Sequence, residues 1–409
     1  LADDADAAAQ AQPTALAPAA ACARMRGARV TVVGLSIRET CGVRDHATLL
    51  AQALERDGVE AKMQWLSRTQ TPLLAARREV GIWSAQLTEA LRSQRPDAVL
   101  LHYSPFSYAY RGVPLFVHGV LAAIARGGAP IVCIAHELAY PWGQGGLRGR
   151  AWAISQRAAL RELVKASAAL LVTADFQREW LATSRWLPSR PTLIAPVFSN
   201  LPPPGAARPS SGPGGLIGVF GYGYEGGEME VVLDALARLR SSGASPRLAL
   251  LGAPGRESGA AERWLAAARE RQLEELIEFD GPLPAQQLSD ALAGCDVLVS
   301  CARLGPSSRK GTLAGSLASG APVVALDGPL RWEELVRAQA AEVVAPTPQA
   351  LADALQLLLS DRARGSALGA RGRAFAESSM GVARTRDALL TLLAGLGVAS
   401  ASSAPATSG

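Results

Sequence analysis

Short aliphatic runs alternate with longer amphipathic stretches along most of the chain. The runs at 29–35 (RVTVVGL), 97–103 (DAVLLHY), 129–137 (APIVCIAHE), 168–175 (AALLVTAD) and 190–196 (RPTLIAP) predict strands. Between them, segments near 43–57, 78–95, 114–126 and 150–166 carry helical spacing. Continuous apolar runs separated by helices point to a parallel sheet covered on both faces. A Pro/Gly/Ser-rich stretch, NLPPPGAARPSSGPGG, interrupts the pattern and reads as a linker. The alternation then resumes with strand-like runs at 215–223, 247–253, 276–281, 295–301, 321–327 and 341–346, each followed by a helical pattern. The predicted fold is α/β, two Rossmann-like doubly wound domains, with ligands beyond the carboxyl ends of strands in the cleft between them.

Composition narrows the function. A chain of 409 residues, 49% hydrophobic and 19% charged, fits two globular domains. Its net charge of +5 and pI near 9.1 suit anionic small molecules or an anionic membrane surface, and do not indicate nucleic-acid binding. Five cysteines form no CxxC pair and no Cys/His cluster, so reduced cytoplasmic thiols are expected, with no zinc site and no disulfide framework. Residues 1–26 are Ala-rich with early acidic residues (Asp3, Asp4, Asp6) and read as a disordered tail, not a secretory leader, with Met25 as a native start. Residues 397–409 read as a second disordered tail, and no run of 18 uncharged apolar residues suggests a membrane span.

Candidate chemistry concentrates in the second half. In GPSSRKGTLAGSLASG (305–320) a helix is expected to start at Ser307 or Ser308 and stop at Gly320. Arg309 and Lys310 then fall in its first turn, where the dipole disfavours cations by a few tenths to about 1 kcal/mol. A bound anion would reverse that cost, taking the free N–H groups, the dipole and both charges together. Gly311 leaves room for close approach and Thr312 adds a hydroxyl. The alternative is a solvated basic turn. At 218–236 a strand leads through a glycine-rich turn (Gly221, Tyr222, Gly223, Gly226, Gly227) into a helix, without the full dinucleotide spacing or a P-loop lysine.

The order of these pieces resembles GT-B glycosyltransferases, family 4 most closely, over nearly all of 28–395. The resemblance rests on CGVRDHATLLAQAL (41–54), IVCIAHELAYP (131–141), PVFSNLP (196–202) and SSRKGTLAGSLASGAPVVALDGP (307–329). It implies an amino-terminal acceptor domain at 27–199, a linker at 200–214 and a donor domain at 215–380. A helix at 381–396 returns to the first domain. It further implies a nucleotide-diphosphate-sugar donor, retention of configuration, no cofactor and no metal. Gly42 matches the loop facing the donor diphosphate, and His136 a histidine near the reacting centre. Ser308, Arg309, Lys310, Gly311 and Thr312 match the diphosphate-holding loop, with Gly221 and Gly223 in the turn opposite. Two glutamates usual in family 4 are replaced here by Ser307 and Gly315. Arg309 and Lys310 supply positive charge that the turn at Tyr222 lacks.

Other residues carry weaker signals. His102, Tyr103 and Ser104 follow a strand and are candidates for the acceptor side with Glu137, a structural role for His102 being the alternative. His46 carries little weight and His118 reads as structural. Arg150, Arg157, Arg161 and Lys165 share a face of the 150–166 helix. That face is either solvated, the commoner case, or a peripheral contact with the anionic inner face of a membrane. Two functions follow: a cytoplasmic glycosyltransferase acting on a glycan, lipid-linked or small-molecule acceptor, or a non-catalytic protein of the same fold that binds nucleotide sugars.

Overall fold

The computed structural model describes residues 18–37, 41–205, 214–222 and 228–398. Its described residues form two compact units, one from the chain up to Pro196 together with the segment from Val382, the other from Val197 to Gly381.

Unit 1 runs α1 (Pro18–Met25), β1 (Arg29–Ser36), α2 (Gly42–Arg56), β2 (Glu60–Ser67), α3 (Leu73–Gln94), β3 (Ala98–Tyr103), α4 (Val117–Ala125), β4 (Ile131–Ala135), α5 (Gly146–Ala166), β5 (Ser167–Val172), α6 (Asp175–Thr183) and β6 (Thr192–Ile194). All pairings are parallel, in the order β2-β1-β3-β4-β5-β6. The central strands β3 and β4 are buried along their whole length, as their unbroken apolar runs require. Strand β2 has no such run. It is an edge strand, half-exposed over most of its length, so its sequence EAKMQWLS mixes polar and apolar residues and hides it from a search for aliphatic runs.

Unit 2 runs β7 (Leu216–Phe220), α7 (Met229–Ser241), β8 (Arg247–Leu251), α8 (Gly259–Glu270), β9 (Ile277–Gly281), α9 (Ala285–Ala293), β10 (Val297–Ser300), α10 (Gly311–Ser319), β11 (Val323–Leu326), α11 (Glu333–Arg337), β12 (Glu342–Val344), α12 (Pro348–Ser360) and α13 (Arg362–Ser379). Its parallel sheet has the order β12-β11-β10-β7-β8-β9. Clusters of Val, Leu, Ile and Ala fill both faces of this sheet. The strand order reverses between β7 and β10 here, and between β1 and β3 in unit 1. Those reversals are where an open α/β sheet leaves a crevice at its carboxyl edge.

Three tail and linker expectations change. Residues 18–25 are not tail: they form α1, which packs on α14 (Val382–Gly395) with Ala21 and Met25 fully buried. The stretch read as linker begins docked on unit 2, where Ser289 Oγ donates to Pro202 O at 2.6 Å and Gly205 N to Asp290 Oδ1 at 2.7 Å. Only from 206 to 213 does it lie outside the described residues. At the carboxyl end Gly397, at φ +75°, and Val398 close α14, Val398 N donating to Leu393 O at 3.1 Å. The rest of both tails lies outside the described residues.

Candidate active site

In unit 1 the polar side chains gather at the carboxyl edge of β3 and β4, beside the reversal. His102 is the penultimate residue of β3, and His136 follows β4, its N–H bonded to Tyr103 O at 2.9 Å. His46, in the first turns of α2, completes the group, with ring centroids 5.7 Å from His102 and 5.0 Å from His136. His102 Nδ1 and His136 Nε2 lie 3.1 Å apart. His46 and His102 are buried and His136 is half-buried.

Burial sets their charge. Desolvation pushes the pKa of His46 and His102 well below 6.5, with the neighbouring histidines adding to the shift, and pulls His136 down to about 4. At neutral pH all three are neutral imidazoles, each with one N–H and one lone pair. Gln177 fixes the surroundings of His136: its Nε2 donates to His136 O at 3.2 Å, while its Oε1 accepts from Thr173 N and Oγ1, both at 2.9 Å. Trp65 forms a wall, its ring 6.1 Å from His102 and its Nε1 donating to Ser36 Oγ at 3.2 Å. Gly34 makes room for that indole, since an added Cβ would lie 2.1 Å from it.

The other unit 1 candidates take different places. Ser104 Oγ donates to Glu137 Oε2 at 3.2 Å, so these two act as a pair. Tyr103 is fully buried among Tyr108 and the core below the sheet edge, and burial raises the pKa of its hydroxyl. That placement makes it a core residue and takes it off the acceptor surface. Gly42 is exposed and opens α2. His118 is exposed on α4.

In unit 2 the basic motif follows β10, at the reversal. The helix starts three or four residues later than expected, at Gly311 with Lys310 as N-cap, because the preceding carbonyls are engaged elsewhere. Leu304 O accepts from Leu330 N at 2.8 Å, Pro306 O from Trp332 N at 2.8 Å and Ser308 O from Val197 N at 2.8 Å. Ser307 and Ser308 are therefore buried turn residues ahead of the N-cap, Lys310. Arg309 and Lys310, both half-buried, stand just ahead of the helix and not in its first turn. The dipole penalty is correspondingly smaller, while an anion at the amino end remains within reach of both. Gly311 is exposed and Thr312 half-buried at that end, and Gly320, at φ +80°, closes the helix as expected.

Across the reversal, Gly221 follows β7 with φ +77°. Tyr222 is buried, its hydroxyl donating to Pro254 O and its carbonyl accepting from Trp264 Nε1 at 3.3 Å. Its ring packs in the core of unit 2, 5.8 Å from that of Phe279. Gly223, Gly226 and Gly227 lie outside the described residues.

The sequence profile of the family described as "Glycosyl transferase 4-like domain" matches residues 11–197, and that of "Glycosyl transferases group 1" matches residues 215–361. The chain belongs to the group 1 glycosyltransferases. Among solved structures, the family fold recurs in a sucrose-phosphate synthase from Thermosynechococcus elongatus, 17% identical, covering 90% of this chain and 100% of that one at a TM-score of 0.67. It recurs too in WaaG, a glycosyltransferase involved in lipopolysaccharide biosynthesis, 14% identical over 90% and 99% at a TM-score of 0.59. A UDP-GlcNAc 2-epimerase from Neisseria meningitidis is similar at 12% identity over 90% and 99%, TM-score 0.55. These likenesses establish the GT-B fold. No curated protein matched in sequence.

Of the two positions where the family 4 resemblance expects glutamates, Gly315 has a structural counterpart. Gly315 is buried against β7, where an added Cβ would stand 3.0 Å from the Phe220 ring and 3.5 Å from Leu201. A carboxylate there would be pressed into apolar side chains. The basic face of α5 also reads differently in the fold. The Arg157 guanidinium stacks over Trp142 at 4.4 Å and donates to Tyr140 O at 2.8 Å, and Arg161 Nε donates to Trp186 O at 3.3 Å. Those two arginines bond neighbouring segments; Arg157 is half-buried, while Arg150, Arg161 and Lys165 are exposed. No described helix is long and apolar enough to cross a membrane.

Proposed function

We propose that this glycosyltransferase moves a sugar from a nucleotide-diphosphate donor to a glycan, lipid-linked or small-molecule acceptor, with retention of configuration. The observation that carries the donor assignment is the pair Arg309 and Lys310 immediately ahead of the amino end of α10, at the sheet reversal of unit 2. Breaking the sugar–phosphate bond leaves negative charge on the diphosphate, and each pre-oriented donor aimed at it lowers the barrier by roughly 3 kcal/mol. In the retaining reaction the bond from the anomeric carbon to phosphate breaks as the bond to the acceptor oxygen forms on the same face, and the departing phosphate takes the acceptor's proton. His136 is assigned to the sugar near the reacting centre on family resemblance. Ser104 and Glu137 are assigned to the acceptor side, His102 being buried like Tyr103, and the diphosphate charge is met by protein cations without a bound metal.

Arg309→Ala and Lys310→Ala are each expected to weaken binding of a nucleoside diphosphate by 10-fold or more in calorimetry and to abolish transfer. Unchanged affinity in both variants would remove the donor site from this loop. A second reading, a binding protein without transfer, is favoured by Ser307 and Gly315 in place of the glutamates. It predicts nucleotide-sugar binding with no release of free nucleotide.

A further inference from the structure

Three of the four histidines in the chain converge from α2, β3 and the turn after β4. Each offers one ring nitrogen such that all three nitrogens lie within 4.8 Å of one another, an arrangement unique among the described residues for groups of three or more His, Cys, Asp or Glu. Two nitrogens bound to one tetrahedral ion at 2.0–2.1 Å stand about 3.3 Å apart. The His102–His136 separation of 3.1 Å is already close to that, and a ring nitrogen of His46 lies within 4.8 Å of the other two.

His102 is 1% exposed and would bind through Nδ1, the nitrogen that faces His136 Nε2. The reaction proposed above asks His136 for one ring nitrogen toward the sugar; the ion would take Nε2, the nitrogen that faces His102, and leave Nδ1 for that role. Oxygen donors are absent from the trio, which disfavours calcium and magnesium. Three imidazoles suit zinc and its neighbours, leaving one coordination position for water or a ligand. His136, half-buried, is the vertex nearest solvent.

We propose that His46, His102 and His136 form a binding site for one divalent transition-metal ion of the zinc class, with a fourth position open. The ion would tie the start of α2 to the carboxyl ends of β3 and β4 at the sheet reversal of unit 1.

The test is a titration of full-length, tag-free, chelator-stripped protein with cobalt(II). The expected result is the visible d–d absorption of a four-coordinate ion, saturating at one equivalent and abolished by added zinc. His46→Asn, His102→Asn and His136→Asn should each weaken the cobalt affinity by more than about 10-fold, while the exposed His118→Asn leaves it unchanged. Binding that persists undiminished in all three variants would overturn the site. So would the absence of both absorption and a rise in Tm when the parent protein receives one equivalent of cobalt or zinc. The parent titration needs no substitution, so it decides the matter even where a variant fails to fold.

Discussion

Gly305, in the loop after β10, and Gly311, the first residue of α10, lie six residues apart, yet their surroundings differ. An added Cβ at Gly311 meets only Val197 Cγ1, at 3.7 Å, which is ordinary contact, and the backbone there is not in the left-handed region. The fold has room for alanine, which also favours a helix start. Gly311→Ala is therefore expected to leave the urea midpoint unchanged or slightly raised while weakening nucleoside-diphosphate binding several-fold. At Gly305, φ is +88° and an added Cβ would lie 2.8 Å from Gly328 N. Gly305→Ala is expected to destabilise by more than about 1 kcal/mol in urea denaturation. Equal loss of stability in both variants would make Gly311 structural as well. Sequence alone singled out Gly311, because it follows two cations. It had no means of finding His46 as a partner of His102 and His136, since the three are far apart along the chain and only the closeness of β1, β3 and β4 joins them. The paired glutamates are a third case: their loss was visible, but the ring of Phe220 that occupies the space beside Gly315 was not.

At the scale of elements, apolar runs located the buried strands, and the expected stop at Gly320 agrees with its left-handed geometry. The missed elements are those whose existence depends on neighbours. Edge strand β2 exists by pairing with β1, and the start of α10 is delayed by carbonyls bonded to Val197 N, Leu330 N and Trp332 N. Helix α5 gives a comparable lesson in charge. Its helical wheel shows a basic stripe, but Arg157 on that stripe covers Trp142 and bonds two carbonyls, whereas Arg150 faces solvent. A cation held against an aromatic face contributes about 0.5–2 kcal/mol depending on burial. Arg157→Ala is expected to lower stability by about 1–2 kcal/mol in urea denaturation, and Arg150→Ala to change it by less than about 0.5 kcal/mol. Similar small effects at both positions would return Arg157 to the solvated face.

For the whole molecule, the alternation of strands and helices sufficed to count two α/β domains. It did not distinguish the strand orders, which depend on which strand each crossover helix returns to: β2-β1-β3 in one unit, β10-β7-β8-β9 in the other. Nor did the alternation reveal how unequally the chain is shared, which only the family resemblance implied, by sending a helix at 381–396 back to the first domain. Unit 2 is a single segment, Val197–Gly381, whereas unit 1 is closed by α14, which packs on α1 and α2 and buries Leu389, Leu390, Leu392 and Leu393. Arg386 on the same helix pairs with Asp57 at 3.1 Å. Four buried leucines at roughly 1.5–3 kcal/mol each amount to about 6–12 kcal/mol, comparable with the 5–15 kcal/mol that holds a typical domain folded. The segment 197–381 expressed alone is therefore expected to unfold in one cooperative transition. Residues 1–196 alone should be largely unfolded or aggregated, and regain a cooperative transition when 382–409 is supplied in trans. Circular dichroism during urea denaturation reads both outcomes. If 1–196 unfolds cooperatively at the same urea concentration with and without 382–409, α14 contributes little to unit 1 and the apolar face of α1 and α2 is stable without it.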